Sequence, residues 1–388
     1  MRVRGLNSKI IVMRKRIFLH IGPHKTGTTS IQATLRFNSE YLESCGVCYL
    51  PVGLGPTPDR IHGQHNLAYE ICGDYRFDPD GATWREALRF IDESPHRAFI
   101  ISSEAFSTCD VGMVRRLADL LAPYDATVIY MPRNHVNVIN SILGQNAAKW
   151  NTRNTSDWFK RRLIKSMTFL HAPKVAPWVE TFGSAALRFP VFELEKANLA
   201  AGILRITGCE FDPSMVEQRR MNAARRRAHI AVNLAVCRAL NGLITPAFYN
   251  MCLAPKLTLV AECLPSTREK NFYVPADLTA ALEQPIREDV ARLRSYGAVL
   301  PPDSYDNLRM ESPCEVEELA PEIGAMLAAM LLKAQREIIG ARIAGLPKAK
   351  HGSLGAPLQR KIDVIDAALA GLGSAKAHGK SGSQMTSG

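Results

Sequence analysis

The chain of 388 residues is short of long apolar runs, of paired cysteine spacings and, over its first 16 residues, of any acidic side chain. Each shortage excludes something. The longest apolar stretch, around Ile323 to Leu332, is about half of what a membrane-spanning helix needs, so no transmembrane segment is expected. Nine cysteines, an odd number scattered without a framework, fit a reducing compartment better than a disulfide-stapled secreted fold. Cys45 and Cys48 form a CxxC, but no second pair of similar spacing follows, which argues against a structural zinc site. This pair straddles a helix end and a short strand instead of opening a helix, so the two cysteines read as structural. No internal repeat is visible.

The acid-free start carries six of the positive charges in a net charge of +11, leaving +5 for the rest of the chain. Residues 1–14 therefore read as a basic, flexible end. Arg14, Lys15 and Arg16 interrupt the short apolar patch there, so a cleaved signal peptide is not expected. The remaining basic surplus suits an anionic ligand and allows peripheral contact with an anionic membrane surface. Nucleic acid is not the expected partner, because no recognised binding module accompanies the charge.

What is present concentrates in Arg16 to Ser30, RIFLHIGPHKTGTTS. An apolar run, Ile17 to Ile21, ends in a loop with Gly22, Lys25 and Gly27, and the helical pattern of Ile31, Leu35 and Leu42 follows. Backbone N–H groups at a helix start, together with the helix dipole, make an anion site. Gly22 and Gly27 allow close approach of a ligand, Thr28, Thr29 and Ser30 supply hydroxyls, and Lys25 supplies a positive charge. A nucleoside-triphosphate loop would carry its lysine directly after the second glycine. Here Thr28 holds that position and Lys25 stands three residues earlier.

The segment Lys25, Thr26, Gly27, Thr28, Thr29 resembles the KxGTT pattern of sulfotransferases, which use 3′-phosphoadenosine 5′-phosphosulfate as donor. The resemblance implies a P-loop-like, doubly wound parallel α/β sheet flanked by helices. It also implies donor contacts from Lys25, Thr26, Gly27, Thr28, Thr29 and Ser30, with no metal. A second apolar run, Ala126 to Met131, leads into Arg133, with Ser141 eight residues on along a helical pattern. That spacing is similar to the pair with which sulfotransferases hold the donor's 3′-phosphate, and arginine's planar fork suits a phosphate. A third run, Ala98 to Ser103, ends at Glu104. Sulfuryl transfer needs a base for the acceptor's proton, and several carbohydrate sulfotransferases use a glutamate, so Glu104 is the candidate. His65 is the alternative, with His62 beside it in the same loop, since an imidazole is well matched to the task near neutral pH.

Strands are expected at Ile17–Ile21, Val47–Leu50, Ala98–Ser102, Ala126–Met131 and Ala186–Phe192. Helices are expected at about Thr28–Leu42, Asn66–Cys72, Trp84–Ile91, Val111–Leu121, Asn134–Trp150 and Ala197–Ile206. In parallel sheets, ligands bind beyond the carboxyl ends of strands, so Lys25, Glu104 and Arg133 can converge there. The loop Pro51 to Gly63 is a candidate acceptor wall, and Asn151 to Leu170 reads as a polar helical insertion. Arg219, Arg220, Arg225, Arg226 and Arg227 form a basic cluster similar to the late loop that sulfotransferases close over the 3′-phosphate.

The resemblance covers about residues 15–303. A helical extension over 304–372, suited to core packing or to a homodimer contact, and a Gly/Ser/Lys-rich disordered tail, 373–388, are expected beyond it. Together these readings imply a cytoplasmic enzyme that sulfates a hydroxyl or amine on a carbohydrate or lipid-linked acceptor. The alternatives are a P-loop nucleotide-dependent kinase and a non-catalytic nucleotide- or glycan-binding module of the same fold.

Overall fold

A computed structural model describes residues 14–54, 62–147, 166–219, 227–257, 276–306, 319–347 and 351–381. Most of the expected insertion (151–165), Arg220, Arg225 and Arg226 of the basic cluster, and residues 55–61 of the expected acceptor wall lie outside them. The strands are β1 (Arg16–His20), β2 (Val47–Tyr49), β3 (Ala98–Ser102), β4 (Asp125–Ile129) and β5 (Leu187–Arg188). The helices are α1 (Thr28–Phe37), α2 (Ser39–Ser44), α3 (His65–Cys72), α4 (Trp84–Glu93), α5 (Val111–Leu121), α6 (His135–Ala147), α7 (Ala172–Phe182), α8 (Leu199–Thr207), α9 (Arg227–Ala239), α10 (Ala276–Ser295), α11 (Pro321–Ala344) and α12 (Ala356–Ser381).

The expected doubly wound sheet is present, with all strands parallel in the order β2-β3-β1-β4-β5. Register fixes the site's frame: His20 lies level with Ser102 of β3 and Ile129 of β4. The chain leaves all three central strands along one rim. Side chains alternate across the sheet. Phe18, Ile100 and Ile129 face a core shared with Ile31 and Leu35 of α1 and Ile203 and Leu204 of α8. Ile17, Leu19, Phe99, Ile101 and Val128 alternate to the other face and are equally buried.

Local sequence accounts for several boundaries. The expected single helix Thr28–Leu42 breaks at Asn38, whose side-chain amide donates to the carbonyls of Thr34 (2.7 Å) and Glu217 (2.9 Å). Thr83 and Glu86 form a capping box at the start of α4, and Asp110 and Asn198 cap α5 and α8. The expected strand Ala186–Phe192 shrinks to Leu187–Arg188, because Pro190 cannot donate to a ladder and Phe192 already opens a short helical turn, Phe192–Glu195.

The described chain forms two compact units. The sheet unit comprises residues 1–138, 169–223 and 281–308, and the helical unit 139–168, 224–280 and 309–388. The sequence reading separates 15–303 from an extension over 304–372. The compact units divide differently, because α9 shares a core with the extension. Val236 and Leu240 of α9 pack with Leu332 and Ile339 of α11 and Ile365 and Leu372 of α12. The backbone of α12 stays helical to Ser381, into the stretch read as a disordered tail, where Ala375, Lys376 and Ala377 are strong helix formers. Among the described residues, no helix is long and apolar enough to cross a membrane.

Candidate functional site

The loop after β1 is tied to its neighbours by main-chain bonds. Ile21 N–H donates to Ile129 (3.0 Å), Met131 N–H to Gly22 (3.0 Å) and Ser103 N–H to His20 (3.0 Å). Three backbones thus leave the sheet side by side. Gly22 has φ +99°, and a Cβ on it would stand 3.0 Å from both Cα and Cβ of Glu104. Gly27 has φ +75°, and a Cβ there would meet Leu199 Cδ1 at 2.5 Å. Both positions therefore need glycine. Between them Lys25 also adopts a left-handed φ, 73°, and the Thr26 hydroxyl donates to Pro23 O at 2.7 Å inside the loop. Helix α1 begins at Thr28 with no side-chain cap, so its first-turn N–H groups are served by no side chain at the N-cap. Thr28 is buried, and Thr29 and Ser30 are half-buried on the same turn.

Arg133 reaches this loop from the end of β4. Its Nη1 donates to the main-chain oxygen of Lys25 at 2.6 Å, and Phe192 lies over the guanidinium at 4.5 Å. Burial pulls its pKa down, Glu193 and Tyr305 pull the other way, and its buried Nε finds no partner among the described residues. A buried network holds the backbone of Arg133. His171 Nε2 lies 2.8 Å from Arg133 O, which can only accept, so Nε2 carries the proton. Nδ1 of that ring then accepts from the Tyr130 hydroxyl at 2.8 Å. Asp289 of α10 accepts from His135 Nε2 (2.7 Å) and from the amides of His171 (2.8 Å) and Ala172 (2.9 Å), capping α7. Glu193 accepts from Asn134 N–H and from the Tyr305 hydroxyl, each at 2.9 Å. Ser141 is half-buried on α6, eight residues beyond Arg133.

Glu104 opens a 3₁₀ turn, Glu104–Thr108, directly after β3. Gln32 Nε2 of α1 donates to its Oε2 at 3.0 Å, while His65 Nδ1 and His24 Nδ1 each lie 3.9 Å from one of its oxygens. Burial pushes the carboxyl's pKa up, but His65, His24 and the Gln32 bond together hold it below the ordinary value. Glu104 is thus an anion at neutral pH. His65 heads α3 and shares a 2.8 Å hydrogen bond with the Ser103 hydroxyl. His62 offers its carbonyl to the Tyr49 hydroxyl at 2.6 Å. Behind Glu104, His20 Nδ1 meets Ser102 Oγ at 2.8 Å, and burial lowers the His20 pKa to about 4. Lys174 of α7 donates to Leu170 O at 2.8 Å, and burial lowers its pKa to about 8.

No family model matches the sequence, and none of the curated proteins is similar to it. Among solved structures, the crystal structure of a sulfotransferase from Alicyclobacillus acidocaldarius is similar, at 16% identity over 72% of this chain and 94% of that one. The TM-score is 0.39. At that score the likeness says nothing about the site of this chain.

The sequence-nominated residues of the first loop, Glu104, His65 and Arg133 therefore lie along one rim of the sheet unit. Arg219 lies over the Phe37 ring at 3.5 Å, and its N–H donates to Thr34 Oγ1 at 3.0 Å. Sequence reasoning missed Gln32, His20, His171 and Asp289. Gln32 had a signal, since a polar residue stands on the face of α1 marked by Ile31 and Leu35. Asp289 had none, being paired over more than a hundred residues of sequence.

One further group brings metal-ligand types together: atoms of Glu43, Cys48 and His96 lie within 4.8 Å of one another. It sits toward the amino ends of the strands, away from Lys25. Burial beside Glu43 raises the Cys48 pKa to about 12, which keeps the thiol protonated and makes it a poor ligand. A cavity of about 380 Å³ between Val52, Asp80 and Phe90 shares no residue with the rim.

Proposed function

We propose that this protein is a sulfotransferase that takes the sulfuryl group from 3′-phosphoadenosine 5′-phosphosulfate and passes it to a hydroxyl or amine of an acceptor. The carrying observation is that one loop touches both other elements: Gly22 abuts Glu104, and Lys25 O accepts from Arg133. A donor lying along that loop would have a base at one end and a guanidinium at the other.

In this reading the N–H groups of Thr26 to Thr29, with the hydroxyls of Thr28, Thr29 and Ser30, hold the 5′-phosphosulfate. Lys25 neutralises the bridging oxygen as the S–O bond to the phosphate breaks. Glu104 accepts the proton of the attacking hydroxyl or amine as the new bond to sulfur forms, and His65 is the alternative acceptor of that proton. Arg133, whose buried Nε finds no partner among the described residues, takes the 3′-phosphate. Fixed positive charge and oriented dipoles supply the stabilisation, with no metal in this scheme. The acceptor is a carbohydrate or a lipid-linked sugar, met in the cytoplasm.

Calorimetry with 3′-phosphoadenosine 5′-phosphate, ATP and AMP tests the donor class. Preference for the bisphosphate by tenfold or more is expected. Equal or tighter binding of magnesium–ATP would replace this reading with a kinase, and binding of the bisphosphate without transfer to any acceptor would leave a binding module.

A further inference from the structure

Cys72 and Cys109 take no part in the rim described above. Cys72 is the last residue of α3, the helix that His65 begins. Cys109 directly follows the 3₁₀ turn that Glu104 begins. Their sulfur atoms stand 2.6 Å apart, although both are free thiols and lie 37 positions apart in the sequence. A disulfide bond measures 2.03–2.05 Å, so about half an ångström of closure would join them.

The two thiols differ in the way that exchange chemistry requires. Cys109 is 4% exposed, whereas Cys72 is half-buried and reachable by a small molecule. The hydrogen bond shared with Cys109 pulls the Cys72 pKa down, burial opposes it, and the Thr108 hydroxyl at 3.9 Å adds to the lowering. The same thiol–thiol bond and burial push Cys109 up. Cys72, the more accessible sulfur, is therefore the one that meets an oxidant and attacks.

We infer that Cys72 and Cys109 form a reversible dithiol–disulfide pair, a modification site that fastens the far end of α3 to the far end of the turn carrying Glu104. The oxidant is a low-molecular-weight disulfide such as glutathione disulfide. Cys72 loses its proton and attacks one sulfur of the oxidant, expelling one glutathione thiolate and leaving a mixed disulfide on Cys72. Cys109 then loses its proton and attacks the Cys72 sulfur, forming the intramolecular bond and expelling the second thiolate. The protein pair gives up two electrons and two protons, and one glutathione disulfide becomes two glutathiones. The inference stands whichever nucleotide the first loop binds.

The full-length protein, equilibrated with glutathione and glutathione disulfide at set ratios, quenched with acid, unfolded in guanidinium, alkylated and digested, provides the test. Under oxidising ratios two of the nine thiols should escape alkylation, and the peptides holding Cys72 and Cys109 should appear joined and two hydrogens lighter. The oxidised protein should unfold at a temperature higher by roughly 10 °C, because a loop of this length is closed in the unfolded chain. Cys72→Ser should keep Cys109 fully alkylatable, and Cys109→Ala should trap Cys72 as the mixed disulfide. The proposal is overturned if Cys72 and Cys109 both remain alkylatable in glutathione disulfide alone while the protein stays folded. It is equally overturned if the bond found joins Cys45 to Cys48.

Discussion

The guanidinium of Arg133 donates to the main-chain oxygen of Lys25 over 2.6 Å, binding the end of β4 to the loop after β1. A lysine at 133 could make that bond or meet an anion, but it lacks the planar fork to do both. Arg133→Lys is therefore expected to weaken binding of 3′-phosphoadenosine 5′-phosphate by about 10- to 100-fold, the range of a lost charge-assisted bond. Titration calorimetry reads this directly. Wild-type affinity in the variant would remove Arg133 from the donor site.

Lys25 holds a left-handed backbone, φ 73°, which costs a non-glycine residue about 1 kcal/mol or more. Lys25→Gly should raise the free energy of unfolding in urea by about 1 kcal/mol and, at the same time, lower turnover by roughly 10²- to 10³-fold. Lys25→Ala should lose the same turnover without the gain in stability. A fully active Lys25→Ala protein would show that the ammonium has no part in the transfer.

Glu104 is charged at neutral pH because neighbouring imidazoles and Gln32 outweigh its burial. If it is the base, the rate should fall on the acid side as pH drops below the ordinary carboxylate range of about 4.3. Glu104→Gln keeps an acceptor for Gln32 but cannot take a proton, and should cut kcat by about 10²- to 10⁴-fold with donor affinity nearly unchanged. His65→Asn should cost far less. The reverse ranking, read from steady-state rates, would give the proton to His65.

His20 is 0% exposed and its pKa falls from 6.5 to about 4. The native state therefore binds this proton less readily than the unfolded chain does. The sign follows: the contribution to stability is whole above pH 6.5 and is lost as pH falls from there toward 4. Its full size is up to about 3 kcal/mol. Asn can occupy the position of Nδ1 opposite Ser102, so His20→Asn should flatten this part of the stability–pH curve. Denaturant melts at pH 7 and pH 4.5 would detect it, and an unchanged difference between wild type and variant would contradict it.

The sheet was legible because its strands are short apolar runs separated by helical periodicity, and Ala98–Ser102 and Val111–Leu121 have the expected bounds. The loop was legible for a different reason. Glycines, a lysine and hydroxyls fall within a few residues of one another, so the anion-binding chemistry is local. What supports those residues is not. Asn38 ends α1 through a bond to Glu217, and Asp289 reaches His135 across 154 positions. Neither partner carries a pattern that points back along the chain. Burial likewise depends on packing, so nothing in the sequence marks His20 as neutral or Cys72 as the neighbour of Cys109.

Strand β1 lies between β3 and β4, each of which is synthesised some eighty or more residues after it. Closing such long loops precedes any gain from the pairings, which slows the search for the native arrangement. During synthesis, the first strand must wait for partners that the ribosome has not yet released. Ligand competence should thus arise late and abruptly, once β4 has emerged, and not grow with the length of the nascent polypeptide.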